Sequence, residues 1–146
     1  MKYLSTMIVT LILLLGSFVS APAGSPAVRA EIADGRAAAP TVCAEFTADS
    51  SEQQTAMLFS AAERVTDLKF LGLTVKDFVD GKMVFDAVEM YRLPVLEPES
   101  PLLVRMTFWG DLPSYGISFT DKEGRTKRYS LGLSGADGSV VLNEIR

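Results

Sequence analysis

The sequence predicts an α+β domain, with one long amphipathic helix packed on an antiparallel meander sheet of about five strands. Three observations carry that prediction. Between Ser51 and Gly72 apolar residues recur at helical spacings of three and four. Beyond Gly72 the pattern becomes one of alternation, which suits strands with a single buried face. The alternating stretches are separated by Asp-Gly, Pro-rich and Gly-rich segments of the kind that turn a chain.

The N-terminus reads as an export signal. MKYLSTMIVTLILLLGSFVSAPA carries Lys2, a nearly unbroken apolar run from Met7 to Val19, and then small residues. Ala21-Pro22-Ala23 places the cleavage before Gly24, so residues 1–23 are expected to form a signal peptide. Val28-Arg29-Ala30 is a second small-residue site, but it lies farther from the apolar run. That run is shorter than the ~20 residues that span a bilayer comfortably, which favours cleavage over anchoring. Contact with a membrane is therefore expected only through the signal peptide, and the mature chain is expected to be periplasmic or secreted.

Cys43 is the only cysteine, so an internal disulfide is excluded and the core alone must hold the domain. The bulky Val42 before it and its distance from the apolar run argue against lipidation. A buried small hydrophobe is the expected role, with an intermolecular disulfide as the rival.

Cleavage leaves 123 of 146 residues, enough for one ordinary domain. The formal charge of −4 becomes −5 with the loss of Lys2, a balance that disfavours general nucleic-acid binding. Lys122, Arg125, Lys127 and Arg128 form the one basic cluster of note, read as a solvated hairpin face. Residues 24–40 are rich in Ala, Gly and Pro without a period and predict a flexible linker ahead of a single α+β domain over 41–146. Within 41–47 Val42, Ala44 and Phe46 share one side, which suits a short strand.

The helix is expected from the stretch SEQQTAMLFSAAERVTDLKFLG, where Leu58, Ala61, Ala62, Val65 and Leu68 fall on one face. Ser51 with Gln54 suits a capping box, and Gly72 suits the left-handed residue that ends a helix. Asp80-Gly81 then predicts a two-residue hairpin between LTVKDFV and KMVFDAVEMYRL, with a short helix over 75–79 as the rival. Pro94, Pro98 and Pro101 bracket an irregular link. Four meander strands follow in LLVRMTFW, SYGISFT, TKRYSLGL and SVVLNEI. Their core faces are expected to carry Leu102, Val104, Met106 and Phe108; Tyr115, Ile117 and Phe119; and Tyr129, Leu131 and Leu133.

In outline this order of elements, from about Ser51 onward, is similar to cystatin-like or NTF2-like domains. The likeness implies a helix cradled by a curved sheet. It rests on no motif and carries no functional residue with it.

LSGADGS looks at first like an ion or phosphate loop. Asp137 stands nearly alone among oxygen ligands, however, and the segment leads into a strand rather than a helix. Its glycines and those of TDKEGR are explained by hairpin turns. The chain has no histidine, which removes imidazole-based nucleophile activation and histidine metal ligands. One cysteine removes thiolate clusters. No cofactor, metal or catalytic residue is expected, and a non-catalytic binding or accessory module with a protein partner in the cell envelope is the favoured reading. A small-ligand or weakly catalytic pocket between helix and sheet is the alternative. Trp109, Asp111 and Tyr115 in WGDLPSY are the candidate contact surface, since flat amphipathic rings flank an acid there.

Overall fold

A computed structural model describes residues 26–33 and 42–146. The expected signal peptide and most of the expected linker lie outside the described residues. In the remainder the chain forms nine strands and no helix. The α+β expectation is thereby overturned, and with it the likeness to helix-in-sheet domains.

The strands are β1 (Val28–Ile32), β2 (Ala44–Thr47), β3 (Thr55–Ala61), β4 (Val65–Val79), β5 (Lys82–Leu96), β6 (Leu102–Met106), β7 (Tyr115–Thr120), β8 (Thr126–Leu133) and β9 (Val140–Glu144). They build two sheets, ordered β1-β3-β6-β2 and β5-β4-β7-β8-β9. All neighbours are antiparallel except β2 and β6, which run parallel from Ala44 beside Leu102 to Thr47 beside Arg105. The sheets pack face to face, so the fold is a β-sandwich. Met57, Phe59, Leu102, Val104 and Met106 meet Leu68, Phe70, Ile117, Phe119 and Leu131 across one continuous interior. Phe70 touches Phe46 and Phe59 edge-on, with centroids 5.8 and 6.1 Å away.

The helix fails for a geometric reason. Leu58, Ala61, Ala62, Val65 and Leu68 have helical spacing because the chain reverses between Ala61 and Val65 and then breaks its own alternation. Asp67 has φ of 52°, and the pairing of β4 with β7 slips by one residue between Thr66 and Lys69. An extra residue there brings Val65 and Leu68, three apart, onto the same inner face. The expected helix start is a turn instead. The Gln53 amide donates to Ser51 Oγ, and the Gln54 side-chain amide donates to the Asp49 carbonyl. Gly72, the expected helix stop, lies mid-strand, where a Cβ would come within 3.2 Å of Met90 Sδ.

Other expectations need smaller corrections. Residues 28–32, assigned to the flexible linker, form β1, and Val28 is fully buried against the core. Cys43, expected to be buried, is exposed, and its amide donates to the Pro101 carbonyl. The four-strand meander is divided: β7, β8 and β9 follow one another in one sheet, while β6 belongs to the other. Pro94 lies within β5 rather than in an irregular link, tolerated because β5 is an edge strand.

The hairpins form where expected. Val79 faces Lys82 across Asp80 (φ 51°) and Gly81 (φ 74°), both in the left-handed region that a tight hairpin requires. In the β7–β8 turn Asp121 Oδ1 accepts from the Glu123 and Arg125 amides, and Gly124 has φ of 80°. In the β8–β9 turn Asp137 Oδ1 accepts from both the amide and the hydroxyl of Ser139. These internal bonds hold the Asp137 carboxyl below its ordinary pKa.

Candidate functional site

The ends of the 107–114 loop are fixed before its middle is free to present anything. The loop carries the chain from β6 in one sheet to β7 in the other. Asp49, just past β2, anchors both ends. One carboxylate oxygen accepts from the Thr107 amide (2.8 Å) and the Tyr115 hydroxyl (2.9 Å), while the other accepts from the Thr107 hydroxyl (2.8 Å) and the Ser51 amide (3.2 Å). The Leu73 amide donates to the Ser114 carbonyl at 2.8 Å, which pins the far end to β4. Partial burial works against ionisation of Asp49, but the bonds from Thr107, Ser51 and Tyr115 outweigh it and hold the carboxyl below its usual value. Burial, followed by the bond to Asp49, pushes the Tyr115 phenol up, with the Trp109 side chain pulling the other way.

Between these anchors Phe108 packs against the core, and Gly110 (φ 62°) lets the chain double back. Trp109 and Leu112 are left 52% and 54% exposed. They border a cavity of about 400 Å³ at the end of the sandwich, closed on its other sides by Met83, Leu131, Gly132, Leu133 and Asn143. A second, larger hollow of about 770 Å³ adjoins it, running between 79–85 and the end of β9. Met83, Pro113 and Asn143 line both, so the two hollows lie side by side, and together they make up the groove.

The far wall of the groove comes from the β4–β5 hairpin. β7 pairs with β4 only over Thr66–Gly72, so beyond that point the two long strands continue as a two-stranded ribbon. The β4–β5 pairing is irregular between Phe70 and Leu71 and between Val75 and Asp77. Bulges of this kind bend a ribbon, and they fall where it leaves the sheet.

All three candidate contact residues line the smaller cavity, but in different capacities. Trp109 presents its ring, and Asp111 is exposed beside it. Tyr115 is buried and spends its hydroxyl on Asp49, so it supports the loop from beneath. Sequence reasoning missed Asp49, whose role depends on partners 58 and 66 residues away. It also missed Met83 and Leu112. Leu133, expected on the core face, is 46% exposed at the groove's edge because β8 ends there.

The groove's walls mix aromatic, aliphatic and thioether side chains with polar ones: Thr107, Asp111, Ser114 and Asn143 line the smaller hollow, and Asp80, Lys82, Glu144 and Arg146 the larger. Asp49 is a poor general base, because both oxygens already accept hydrogen bonds that favour the ionised form. Among the described residues no three cysteines or carboxylates converge as a metal-holding group. Comparison with protein-family models, with curated proteins and with solved structures finds no match for the chain.

Proposed function

We propose that this chain is a small exported, non-catalytic binding module that takes up an apolar segment of another envelope or secreted protein in the groove at the end of the sandwich. The carrying observation is that Trp109, Leu112, Leu133 and Val79, each about half exposed, border two adjoining hollows. Exposed apolar side chains gathered around a hollow mark interaction sites, whereas scattered ones do not. A buried aromatic anchor is also the commonest energetic centre of a protein contact. The export part of the proposal rests on the leader-like sequence at 1–23.

Trp109 is the only tryptophan, so its fluorescence reports directly on the groove. Mature protein should capture a partner from cell-envelope extract, and the purified partner should shift Trp109 emission to the blue and protect it from a soluble quencher. Leu112→Ser together with Leu133→Ser should abolish capture while leaving thermal unfolding almost unchanged. Capture that persists undiminished in that variant would refute the groove as the contact.

A second reading is favoured by volume. The smaller hollow falls in the ~300–1,000 Å³ range of small-molecule pockets. The helix-and-sheet pocket expected from sequence is replaced in that reading by one between the 107–114 loop and the ribbon. Saturable quenching of Trp109 by a small apolar compound, with no protein captured, would favour it.

A further inference from the structure

The outer face of the five-stranded sheet, away from the groove's loop wall, carries a second surface. Register places Arg92 on β5 opposite Lys69 on β4, Lys69 opposite Ser118 on β7, and Ser118 opposite Arg128 on β8. Directly opposed residues share a face, so these four form one row across the sheet, in which Arg92 is exposed, Lys69 and Arg128 are half-buried and Ser118 is buried. With strands about 4.8 Å apart, the row runs about 14 Å from Arg92 to Arg128. The adjacent row places Thr66 opposite Thr120 and Thr120 opposite Thr126, giving a line of hydroxyls alongside the cations.

Like charges directly opposite each other destabilise a sheet, and here Lys69 opposes Arg92. Asp67 moderates the clash. Its carboxylate lies 2.7 Å from Arg92 Nε and 3.7 Å from Lys69 Nζ. It does so from a left-handed backbone conformation, φ 52°, which costs energy for a residue with a side chain. The local backbone is thus held in a strained form that keeps two cations side by side. No ion pair engages Arg128 among the described residues. Glu89, opposite Leu71 on the same face, is a second acid on this side of the sheet.

We infer that this row is a binding surface for an extended anionic polysaccharide. A line of cations flanked by a line of hydroxyls complements a chain that carries spaced acid groups among many sugar hydroxyls. Guanidinium groups pair with carboxylate and sulfate oxygens in a two-pronged way. The line of hydroxyls has little to meet on single-stranded DNA, whose sugars carry no free hydroxyl along the chain, so that nucleic acid is a poorer match than a glycan.

Binding of the mature protein to immobilised polygalacturonate (carboxylated) and heparin (sulfated) tests this, with neutral dextran and single-stranded DNA as controls. Retention on at least one acidic glycan, weakening with salt, is expected, and the better ligand identifies the acid group. Arg128→Ala should weaken binding about threefold to tenfold, in the range of one partly exposed charged hydrogen bond. Asp67→Asn should tighten it, because asparagine tolerates the left-handed backbone yet gives up the competing charge. Lys76→Ala, on the ribbon, and the groove variant should leave it unchanged. Failure to bind either glycan, equal retention on DNA, or no effect of both Arg128→Ala and Asp67→Asn would overturn the inference.

Discussion

The two halves of the β4–β5 hairpin share the same strands and differ in almost everything that holds a strand in place. The proximal half, Thr66–Gly72, pairs on both sides and sends Leu68 and Phe70 into the interior. The distal half pairs on one side only and leaves Phe78 and Val79 62% and 50% exposed. The contrast teaches that pairing alone does not stabilise: two-stranded ribbons are marginal unless a face is covered. Stability in this molecule is concentrated where both sheets meet, and the exposed apolar groups lie where they do not.

Removing one aromatic ring from each half should separate the two most strongly. Phe70 is fully buried and touches Phe46, Phe59 and Tyr115. Phe70→Ala should therefore cost about 3–5 kcal/mol through lost burial and a residual cavity. Denaturant unfolding measures that directly. A loss below about 1 kcal/mol would mean that the two sheets do not pack as described.

Gly116 lies beside the proximal half, opposite Leu71. A Cβ there would run into the Tyr129 carbonyl oxygen on β8 and come within 2.9 Å of Leu73 Cδ1. Backbone cannot give way as a side chain can, so Gly116→Ala should destabilise by about 2–3 kcal/mol despite adding a single carbon. An unchanged melting temperature would show that β7 and β8 lie farther apart at this pair.

Asp49 belongs to neither half of the hairpin, but it holds the loop that forms one wall of the groove. Asp49→Asn should cost about 1–2 kcal/mol at neutral pH, since a half-buried acceptor of four bonds becomes a partial donor. The native carboxyl is depressed below its unfolded value, so the native state binds fewer protons. The contribution is thus complete above the unfolded pKa, roughly 3.9 for an aspartate, and is lost as pH falls through the native value. The gap between wild type and Asp49→Asn should close on acidification below about pH 4. A gap that stays constant to lower pH would assign the effect to shape rather than to charge.

How much of this was legible in the sequence follows the same division. The turns could be read because their chemistry is local: Asp80-Gly81 and Gly124 need no distant partner to require a left-handed backbone. The inner faces of β6, β7 and β8 could be read as well, because their alternation is uninterrupted, as with Ile117 and Phe119. The β3–β4 region could not. Its alternation is cut by a reversal at 62–64 and by Asp67, and the two breaks together imitate a helical repeat. Only the ladder to β7 shows which period applies. The candidate site was half legible. The aromatic at 109 stands out in any reading, whereas the Asp49 anchor and the arrival of Met83 from the ribbon depend on tertiary contact.

The smallest effect is expected in the distal half of the hairpin, and it carries the most functional information. Phe78→Ser removes an exposed ring that packs on no other ring among the described residues, and stability should change by less than about 0.5 kcal/mol. Amide hydrogen exchange should separate the two halves further. Amides beyond Leu73 should exchange at the low-stability end of the protein's range, and those of Leu68 and Phe70 close to the global limit. The two long strands would then behave as a rigid base and a compliant wall of the groove. Equal protection along the whole of β4 would instead make the ribbon part of the core's cooperative unit, and a partner would then have to enter a preformed slot.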